Sequence, residues 1–307
     1  RYLKPTPLIH YPRLSSWLGC RAWVKHENHL PTGAFKIRGG IRLIGTLSEE
    51  ERQRGVVAAT RGNHGQSVAL ASRIFGVRCR VAVPQGNNPE KNRAMEAYGA
   101  ELLIGGKDFD EARQKVEELQ KREGVRYIHS GNEPMLIHGV GTYALEIVED
   151  LPEVDVVLVP VGGGSGVSGV LTVVRSMLPG VEVIGVQAEN APAVYRSWKA
   201  GKEIRTDSAD TVADGLATRV PFQLPLQIMM RDLDDMVTVS DTAIREAVFR
   251  FLQLTHQLAE PAAAATLAAA KQIAPHLEGK TVVLVQTGGN ISMTLLQEIL
   301  QEFQDSA

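Results

Sequence analysis

The sequence predicts an α/β protein with two parallel-sheet domains, the smaller inserted in the larger. First, short apolar strands alternate with helices along most of the 307 residues, which is the pattern of parallel sheets with crossover helices. Second, Asp155–Val161 and Val181–Ala188 are rich in valine, as expected when helices cover both faces of a sheet. Third, the elements from about residue 50 to residue 132 form a compact set. We therefore predict a small domain over residues 50–132 and a large one over residues 1–49 and 133–307.

The individual elements follow in order from periodicity and from capping residues. Before residue 50 we expect a helix, a strand and a helix, with Ser48 capping the helix after them: Leu14–Leu18, Arg21–Glu27 and Ile37–Thr46. The inserted part is predicted to alternate Val56–Thr60, Gly65–Phe75, Cys79–Val83, Pro89–Tyr98, Glu101–Ile104, Asp108–Arg122 and Arg126–His129. The last part is predicted to comprise Gly141–Asp150, Asp155–Val161, Val167–Met177, Val181–Ala188, a less regular stretch at 196–235, Met236–Ser240, Asp241–Leu254, Pro261–Ala274, Thr281–Gln286 and Asn290–Phe303.

The composition excludes several classes of protein. With 44% hydrophobic residues, 22% charged residues and a net charge of -2, the chain has no electrostatic basis for binding nucleic acid or an anionic membrane. Cys20 and Cys79 form no CxxC motif, and no signal peptide or membrane-length apolar run is visible, so we expect a cytoplasmic protein. The eight histidines form no ligand cluster in the sequence, which gives no reason to expect a metal.

The lysine loop, Pro31–Gly40, holds Lys36 between Phe35 and Ile37 with glycines on both sides. Glycines let the backbone come close to a ligand. A lysine among apolar neighbours is desolvated, which favours its neutral amine. A neutral amine forms Schiff bases with carbonyls, including pyridoxal phosphate. The loop by itself also fits a surface lysine in a glycine-rich turn.

The glycine loop, Gly162–Gly166, joins a predicted strand to a predicted helix. Such a loop can hold a phosphate, because its N–H groups converge and no Cβ blocks the approach. The same stretch matches GxGxxG through Gly169, and Glu189 ends the next strand 189 − 169 = 20 positions later. That spacing is the dinucleotide fingerprint, so an NAD-dependent dehydrogenase stays open as an alternative from another class.

Further motifs lie at other strand ends. Thr60–Ser67 (TRGNHGQS) starts a helix whose free N–H groups suit a carboxylate, and its Asn63 could donate to a phenolate or carbonyl oxygen. Thr287 in QTGGN could meet a ring nitrogen, or it could cap a helix. Glu260 in LAEP and Asp214 in TVADG fit either a helix or turn terminus or the wall of a pocket.

In their order along the chain, the lysine loop, TRGNHGQS, GGGSG, ADG, AEP and TGGN resemble the motifs of fold-type II pyridoxal-phosphate enzymes. The chain is most similar to the serine/threonine dehydratase family, which includes biodegradative-type threonine dehydratases and serine racemases. The resemblance covers essentially the whole chain. It implies a tryptophan synthase β-like fold, pyridoxal 5'-phosphate as the cofactor, a mobile small domain that closes on the substrate, and a homodimer.

The resemblance also implies roles for particular residues. Lys36 is the catalytic residue, which holds the cofactor as a Schiff base and then acts as the base at Cα. The implied cofactor-binding residues are Phe35 beside the ring, Lys36, Asn63 at the ring 3-oxygen, Gly162, Gly163, Gly164, Ser165 and Gly166 at the phosphate, Glu260 near the ring, and Thr287 at the pyridine nitrogen. The implied substrate-binding residues are Thr60, Arg61, Asn63, His64 and Asp214.

Two departures from the family pattern bear on the activity. Arg61 stands where serine racemases usually have the serine that acts as a second base, which disfavours racemisation. It indicates either a substrate with a second anionic group or an arginine that points to solvent. At the positions where racemases carry cation-binding acids, this chain has Gln187, Ala191 and Ala193, so no divalent metal is expected there.

We therefore predict a pyridoxal-phosphate-dependent lyase that dehydrates and deaminates a β-hydroxy amino acid, with L-threonine and L-serine as the leading substrates. The products are a 2-oxo acid and ammonia. Alternatives within the family are a serine racemase and a dehydratase for phenylserine or hydroxyaspartate. A protein that binds pyridoxal phosphate without turnover is a further alternative, because binding motifs do not prove catalysis.

Overall fold

The computed structural model describes residues 2–107 and 109–304. Asp108, the predicted first residue of one helix, lies outside them. The strands are β1 (Leu8–His10), β2 (Arg21–His26), β3 (Val56–Ala59), β4 (Cys79–Val83), β5 (Glu101–Ile104), β6 (Arg126–Tyr127), β7 (Val156–Pro160), β8 (Glu182–Ala188), β9 (Asp235–Val239) and β10 (Thr281–Gln286).

The helices follow the strands in alternation over most of the chain. They are α1 (Pro12–Leu18), α2 (Lys36–Gly45), α3 (Glu49–Arg54), α4 (Asn63–Phe75), α5 (Pro89–Ala97), α6 (Phe109–Glu123), α7 (Pro134–Val140), α8 (Thr142–Asp150), α9 (Ser165–Met177), α10 (Ala193–Ala200), α11 (Gln223–Asp232), α12 (Asp241–Thr255), α13 (Pro261–Gln272), α14 (Ala274–Leu277) and α15 (Met293–Phe303). Short 3₁₀ turns occur at Glu27–His29 and Asp214–Leu216.

The strands form two sheets. The larger has six strands in the order β1-β2-β10-β7-β8-β9, and the smaller has four in the order β5-β4-β3-β6. Every pairing is parallel except that of β1 with β2. The predicted α/β class with two parallel sheets is confirmed. The antiparallel edge strand β1 lies in a stretch predicted only as a lead-in, because three residues carry too little periodicity to be recognised.

Alternation along the buried strands divides the core of the larger sheet into two layers. Val157 and Val283 face one hydrophobic cluster, whereas Val156 and Val282 face the other. The first cluster continues through α2 and α4 to Val56 and Val81 of the smaller sheet, so the two sheets share part of one core. Helix α13 covers the second layer, and its alanines allow close packing against the sheet.

The stretch predicted to be less regular, 196–235, is more ordered than expected. It contains the end of α10 and the whole of α11, and α7 was also missed. None of these three helices has a side-chain N-cap hydrogen bond, so the strongest start signal is absent from their sequences. By contrast, the capping box at Ser48, with Glu51 as its partner, is formed as the sequence predicts.

Two glycines of the lysine loop have a different purpose from the one expected. Gly39 and Gly40 lie within α2, not in a ligand-binding turn. A Cβ would come within 2.7 Å of Leu136 at Gly39 and within 2.3 Å of Ser67 at Gly40. These glycines therefore let α2 pack closely against α7 and α4, and the expectation that they admit a ligand was wrong. Among the glycines of this loop, only Gly33 has a positive φ, of 64°.

Both cysteines are buried free thiols. None of the helices in the part of the chain that the structure describes combines the length and hydropathy that a membrane span requires.

Candidate active site

A cavity of about 480 Å³ lies where strand ends of the two sheets meet. Residues directly after β3, β7 and β10 line it, together with the first residue of α2. Carboxyl ends of parallel strands are the usual place for a ligand in such folds. Every predicted cofactor-binding and substrate-binding residue lies on its wall: Phe35, Lys36, Thr60, Arg61, Asn63, His64, Gly162, Gly163, Gly164, Ser165, Gly166, Asp214, Glu260 and Thr287. Their individual roles remain predictions.

Lys36 places its amine inside this cavity. Its Nζ donates to Ser165 Oγ at 2.7 Å and more weakly to the Ser130 carbonyl at 3.4 Å, and it lies 5.0 Å from the centre of the Phe35 ring. Burial lowers the pKa of the Lys36 amine to about 8, because a charged ammonium is poorly solvated there. A substantial neutral fraction is therefore available near physiological pH.

The lysine loop is joined to the turn after β10. The Phe35 N–H donates to the Thr287 carbonyl at 2.9 Å, and the Gly289 N–H donates to the Gly33 carbonyl at 2.9 Å. These backbone bonds fix the distance between the amine and the Thr287 side chain, which is nearly buried. The Thr287 hydroxyl makes no hydrogen bond to a described residue, so it is available to a ligand.

A buried network of ion pairs anchors α2 to the end of β2 and to α8. Arg38 donates to Glu27 at 2.7 Å and to Glu146 at 2.8 Å, and Lys25 pairs with Glu146 at 2.7 Å. The side chains of Arg38 and Glu27 are 3% and 0% exposed. Because Arg38 is two residues from Lys36, the network fixes the start of the helix that bears the amine. The sequence signal that could have revealed it is the run of charged residues at the end of the otherwise apolar strand β2.

The glycine loop forms the opposite wall. In the described part of the chain, no hydrogen bond uses the N–H groups of Gly162 to Gly166 as donors. A Cβ at Gly162 would lie 2.1 Å from the Gly215 carbonyl oxygen, and one at Gly163 would lie 2.2 Å from Phe222. Gly162 and Gly163 therefore have to be glycine because Gly215 and Phe222 pack directly over them, and the loop offers a row of free N–H donors to the cavity.

Thr60, Arg61 and His64 approach the cavity from the smaller sheet. Thr60 Oγ1 accepts a hydrogen bond from the Gly62 N–H at 3.0 Å. His64 Nε2 is 3.0 Å from the Ile128 carbonyl, and burial, followed by the charge of Lys36, lowers its pKa to about 3. His64 is therefore neutral and offers no positive charge to a carboxylate. Arg61 is exposed and makes no hydrogen bond or ion pair to a described residue.

Glu260 and Asn63 form a polar contact across the cavity. Asn63 Nδ2 donates to Glu260 Oε1 at 2.7 Å, while Glu260 Oε2 has no partner in the described chain. The Glu260 side chain is nearly buried. Burial raises the pKa of Glu260 to about 7, although nearby Lys91 acts in the opposite direction. This carboxyl can therefore present either a lone pair or a proton at neutral pH.

Several cavity residues were missed by the sequence analysis, since none belongs to a recognisable motif. Lys91 pairs with Asp214, so a residue predicted to meet substrate is held by a cation from α5. The Lys91 side chain is 10% exposed and that of Asp214 is 40% exposed. Ser130, Arg113 and Phe222 also line the cavity.

The dinucleotide-binding alternative loses support at this stage. Glu189, the acid that the dinucleotide hypothesis needs at the ribose, is exposed and does not line the cavity. At the family's cation-binding positions, Gln187 Oε1 accepts from the Tyr195 N–H at 2.8 Å, and Ala191 and Ala193 are buried. Among the described residues, no three His, Cys, Asp or Glu side chains are grouped as metal ligands would be.

The residues of the cavity fit a ligand that carries both an aldehyde and a phosphate. A partly neutral amine at Lys36 suits the aldehyde, and the free N–H row of Gly162 to Gly166 suits the phosphate. The unpartnered hydroxyl of Thr287 and the unpartnered Oε2 of Glu260 supply polar contacts for a ring between these two ends. Of these four features, only the Lys36 amine would exchange an existing bond, its hydrogen bond to Ser165 Oγ.

Comparisons with known proteins agree with this fit. A family model described as pyridoxal-phosphate dependent enzyme matches residues 1–288. An L-threonine ammonia-lyase of Thermotoga maritima is 40% identical over 297 residues, which are 97% of this chain and 74% of that protein. The structure of threonine deaminase isoform 2 from Solanum lycopersicum matches with a TM-score of 0.93 and 29% identity, covering 98% of this chain and 88% of that one. Maize serine racemase matches with a TM-score of 0.91 and 29% identity, covering 99% and 94%.

Proposed function

The chain belongs to the family of pyridoxal-phosphate-dependent enzymes, and we propose that it is an ammonia-lyase for a β-hydroxy amino acid. L-Threonine and L-serine are the leading substrates, a choice supported by similarity to proteins named threonine ammonia-lyase. The observation that carries the proposal is the placement of the Lys36 amine and the glycine loop around one cavity, where Nζ lies 2.7 Å from Ser165 Oγ.

Bound pyridoxal phosphate supplies an aldehyde for amines and a ring that accepts electrons when a Cα proton leaves. Lys36 Nζ, neutral above its lowered pKa of about 8, is the group that takes this proton from Cα. Ser165 Oγ holds Nζ in the cavity. Phe35 shields the amine on one side and limits the access of water.

The substrate carboxylate is bound by backbone donors in this proposal. The N–H groups of Asn63, His64 and Gly65 open α4 and donate to no described residue. A helix N-terminus favours an anion by its free donors and its dipole. His64 Nε2 donates to the Ile128 carbonyl, and in the neutral ring Nδ1 is then an acceptor, so His64 contributes shape to this subsite and neither a charge nor a donor.

The overall chemistry balances without an added oxidant or reductant. Loss of the Cα proton and the β-hydroxyl removes one water. Addition of one water during the release of nitrogen restores it, so that L-threonine yields 2-oxobutanoate and ammonia. General base catalysis at Cα contributes about 10²- to 10⁴-fold in such reactions.

Two measurements test the proposal. The purified protein is expected to absorb at about 410–420 nm, as lysine-bound pyridoxal phosphate does, and borohydride is expected to fix the label on Lys36. Incubation with L-threonine should then release 2-oxobutanoate and equimolar ammonia. A colourless protein that takes up no pyridoxal phosphate contradicts the cofactor assignment. A yellow protein that releases no keto acid from any β-hydroxy amino acid favours the non-catalytic alternative.

A second candidate is a substrate with an anionic side chain, such as 3-hydroxyaspartate. It is favoured by Arg61, a cavity guanidinium without a described partner at the start of α4. A cation at a helix N-terminus is electrostatically unfavourable unless an anion joins it. The same residue argues against serine racemisation, because a guanidinium does not release a proton in the working pH range.

Arg61→Met separates these substrates. If an acidic substrate is used, the change should lower its kcat/KM by about tenfold or more while leaving L-threonine within about threefold. Arg61→Lys, which keeps the charge and loses the bidentate geometry, is the control. Equal effects on both substrates would rule out a role for Arg61 in binding the side chain.

The domain division, the cellular location and the oligomeric state are proposed on the same basis. Residues 50–132 form the small domain that closes on the substrate, a role supported by the Lys91–Asp214 pair and by the Tyr98 hydroxyl that donates to the Pro31 carbonyl across the two units. We place the protein in the cytoplasm, consistent with two free thiols, and expect a homodimer. Sedimentation equilibrium tests the dimer, and a concentration-independent monomer mass contradicts it.

A further inference from the structure

Asn290 contacts both the lysine loop and Asn63, the first residue of α4, through a single amide nitrogen. Its Nδ2 donates to the Thr32 carbonyl at 2.8 Å and to Asn63 Oδ1 at 2.8 Å. Both hydrogens of that amide are therefore used. The close contact depends on Gly33, where a Cβ would lie 2.7 Å from Asn290 Oδ1.

The orientation of each amide in this chain follows from the one before it. A backbone carbonyl only accepts hydrogen bonds, so the Thr32 carbonyl requires Asn290 to present its nitrogen. That nitrogen in turn requires Asn63 to present its oxygen. The nitrogen of Asn63 must then face the other way, where it donates to Glu260 Oε1 at 2.7 Å.

One hydrogen on Asn63 Nδ2 remains without an acceptor in the described part of the chain. Asn63 lines the cavity beside Lys36 and Thr287. If this amide were rotated by half a turn, it would offer an oxygen to the cavity and to the Glu260 carboxyl, and an ionised carboxyl there would face acceptor against acceptor. Asn63 thus presents a donor to the cavity because Thr32 and Asn290 fix the orientation of its amide.

We propose that Asn290 is a positioning residue that makes Asn63 a hydrogen-bond donor toward the cofactor ring. The inference rests on the proposed placement of Asn63 at the ring 3-oxygen. Asn290 does not itself line the cavity; it acts through Asn63. The relay begins at a carbonyl of the lysine loop, so the loop that supplies the amine also sets the orientation of the Asn63 amide.

A comparison of Asn290→Asp with Asn290→Ala separates orientation from packing. Aspartate is nearly isosteric but cannot donate, so Asn63 is expected to turn its nitrogen toward the introduced carboxylate and its oxygen toward the cavity. Alanine removes the partner, so the Asn63 amide can adopt either orientation. We therefore expect Asn290→Asp to weaken the binding of pyridoxal phosphate at least about tenfold and more than Asn290→Ala does. Because the introduced carboxylate also faces the Thr32 carbonyl, a fall in melting temperature with cofactor affinity kept would indicate a packing role alone.

The readouts are the dissociation constant of pyridoxal phosphate for the apoprotein, the visible absorbance of the holoenzyme and the melting temperature. Asn87→Asp is the matched control, because Asn87 donates to Asn92 at 2.6 Å in a second asparagine pair outside the cavity. It should leave cofactor affinity and absorbance unchanged. Adding Glu260→Gln to Asn290→Asp should restore stability, since the amide introduced by Glu260→Gln can donate to the turned Asn63, but should not restore cofactor affinity.

Asn63→Asp tests the same relay from the other end and covers a failure of Asn290→Asp to fold. It keeps the acceptor toward Asn290 and removes the donor toward the ring, so cofactor affinity should fall as it does in Asn63→Ala. The inference is overturned if Asn290→Asp or Asn63→Asp binds the cofactor as the wild type does, or if Asn290→Ala is the more harmful change. If the wild-type protein itself takes up no pyridoxal phosphate, the proposed function fails and the inference fails with it.

Discussion

Arg38 and Lys91 both lie near the cavity and both pair with carboxylates, but their surroundings differ. Arg38 is almost fully buried and binds Glu27 and Glu146, and all three lie outside the segment 50–132. Lys91 comes from α5, inside the segment 50–132, and binds Asp214, whose side chain is 40% exposed. The Arg38 network fixes the side of the cavity that carries Lys36. The Lys91–Asp214 pair joins two sides of the cavity through a contact that water can replace.

This difference separates what must stay fixed from what can move. The amine of Lys36 has to meet a ring and a phosphate held by the same unit, so its helix is anchored by a network that is costly to break. In the proposed function substrate enters between the segment 50–132 and the rest of the chain, so the contact across them is expected to be weaker. The variants below act on one wall or the other.

The largest effect is expected from Lys36→Ala, which removes the reactive amine from the anchored wall. Keto-acid release from L-threonine should fall at least about 10³-fold, because no other described cavity amine can replace it: Lys91 is committed to Asp214. The melting temperature of the apoprotein should be nearly unchanged, which separates chemistry from folding. Retained turnover would refute the assignment of Lys36.

Arg38→Met should have the next largest effect, and on stability. It leaves Glu27 buried without its partner, and such a loss costs about 3–5 kcal/mol of unfolding free energy. Urea unfolding of the apoprotein measures it. Arg78→Met is the control, since the Arg78–Glu101 pair has side chains that are 68% and 52% exposed, and a clearly smaller loss is expected there because water screens an exposed pair. Similar losses in both variants would show that the Arg38 network is not a special anchor.

Lys91→Met tests the contact between the units. We expect KM for the amino-acid substrate to change by about tenfold with kcat within about threefold, and unfolding free energy to fall by no more than about 1 kcal/mol. Asp214→Asn should change KM alike but cost more unfolding free energy, because it leaves the buried Lys91 ammonium without this partner. The double variant should have a KM no worse than that of either single variant, because both changes remove the same pair. Additive effects would mean that Lys91 and Asp214 act independently.

The smallest effect is a pH dependence of cofactor loading. The neutral amine of Lys36 is the reactive form, and its pKa is lowered to about 8. The rate at which the apoprotein takes up pyridoxal phosphate should therefore rise with pH, reach half of its maximum at about pH 8 and then level off. From pH 7 to pH 8 the neutral fraction rises about fivefold, compared with about tenfold for an ordinary lysine far below its pKa. Stopped-flow absorbance follows the loading rate. A rate that still rises about tenfold per pH unit at about pH 9 would show that burial does not lower this pKa.

Much of the anchored wall could be predicted from the sequence because backbone features create it. The glycine loop and Thr287 each follow a strand end, Lys36 comes from the loop after another strand, and parallel strands bring such ends to one edge. The sequence could not reveal that Gly39 and Gly40 pack helices, since a glycine motif does not show what its missing side chain would touch. It also could not show that Asp214 is taken by Lys91, because the two partners are 123 residues apart along the chain.

The sequence by itself predicted the α/β class, because periodicity is a local property of the chain, and its resemblance to a known family implied the cofactor and the role of Lys36. Only the tertiary structure decided the protonation and orientation of the side chains around that lysine. The neutral state of His64, the near-neutral pKa of Glu260 and the direction of the Asn63 amide all depend on burial and on partners from distant segments. Desolvation and hydrogen-bond direction arise only when those segments pack together.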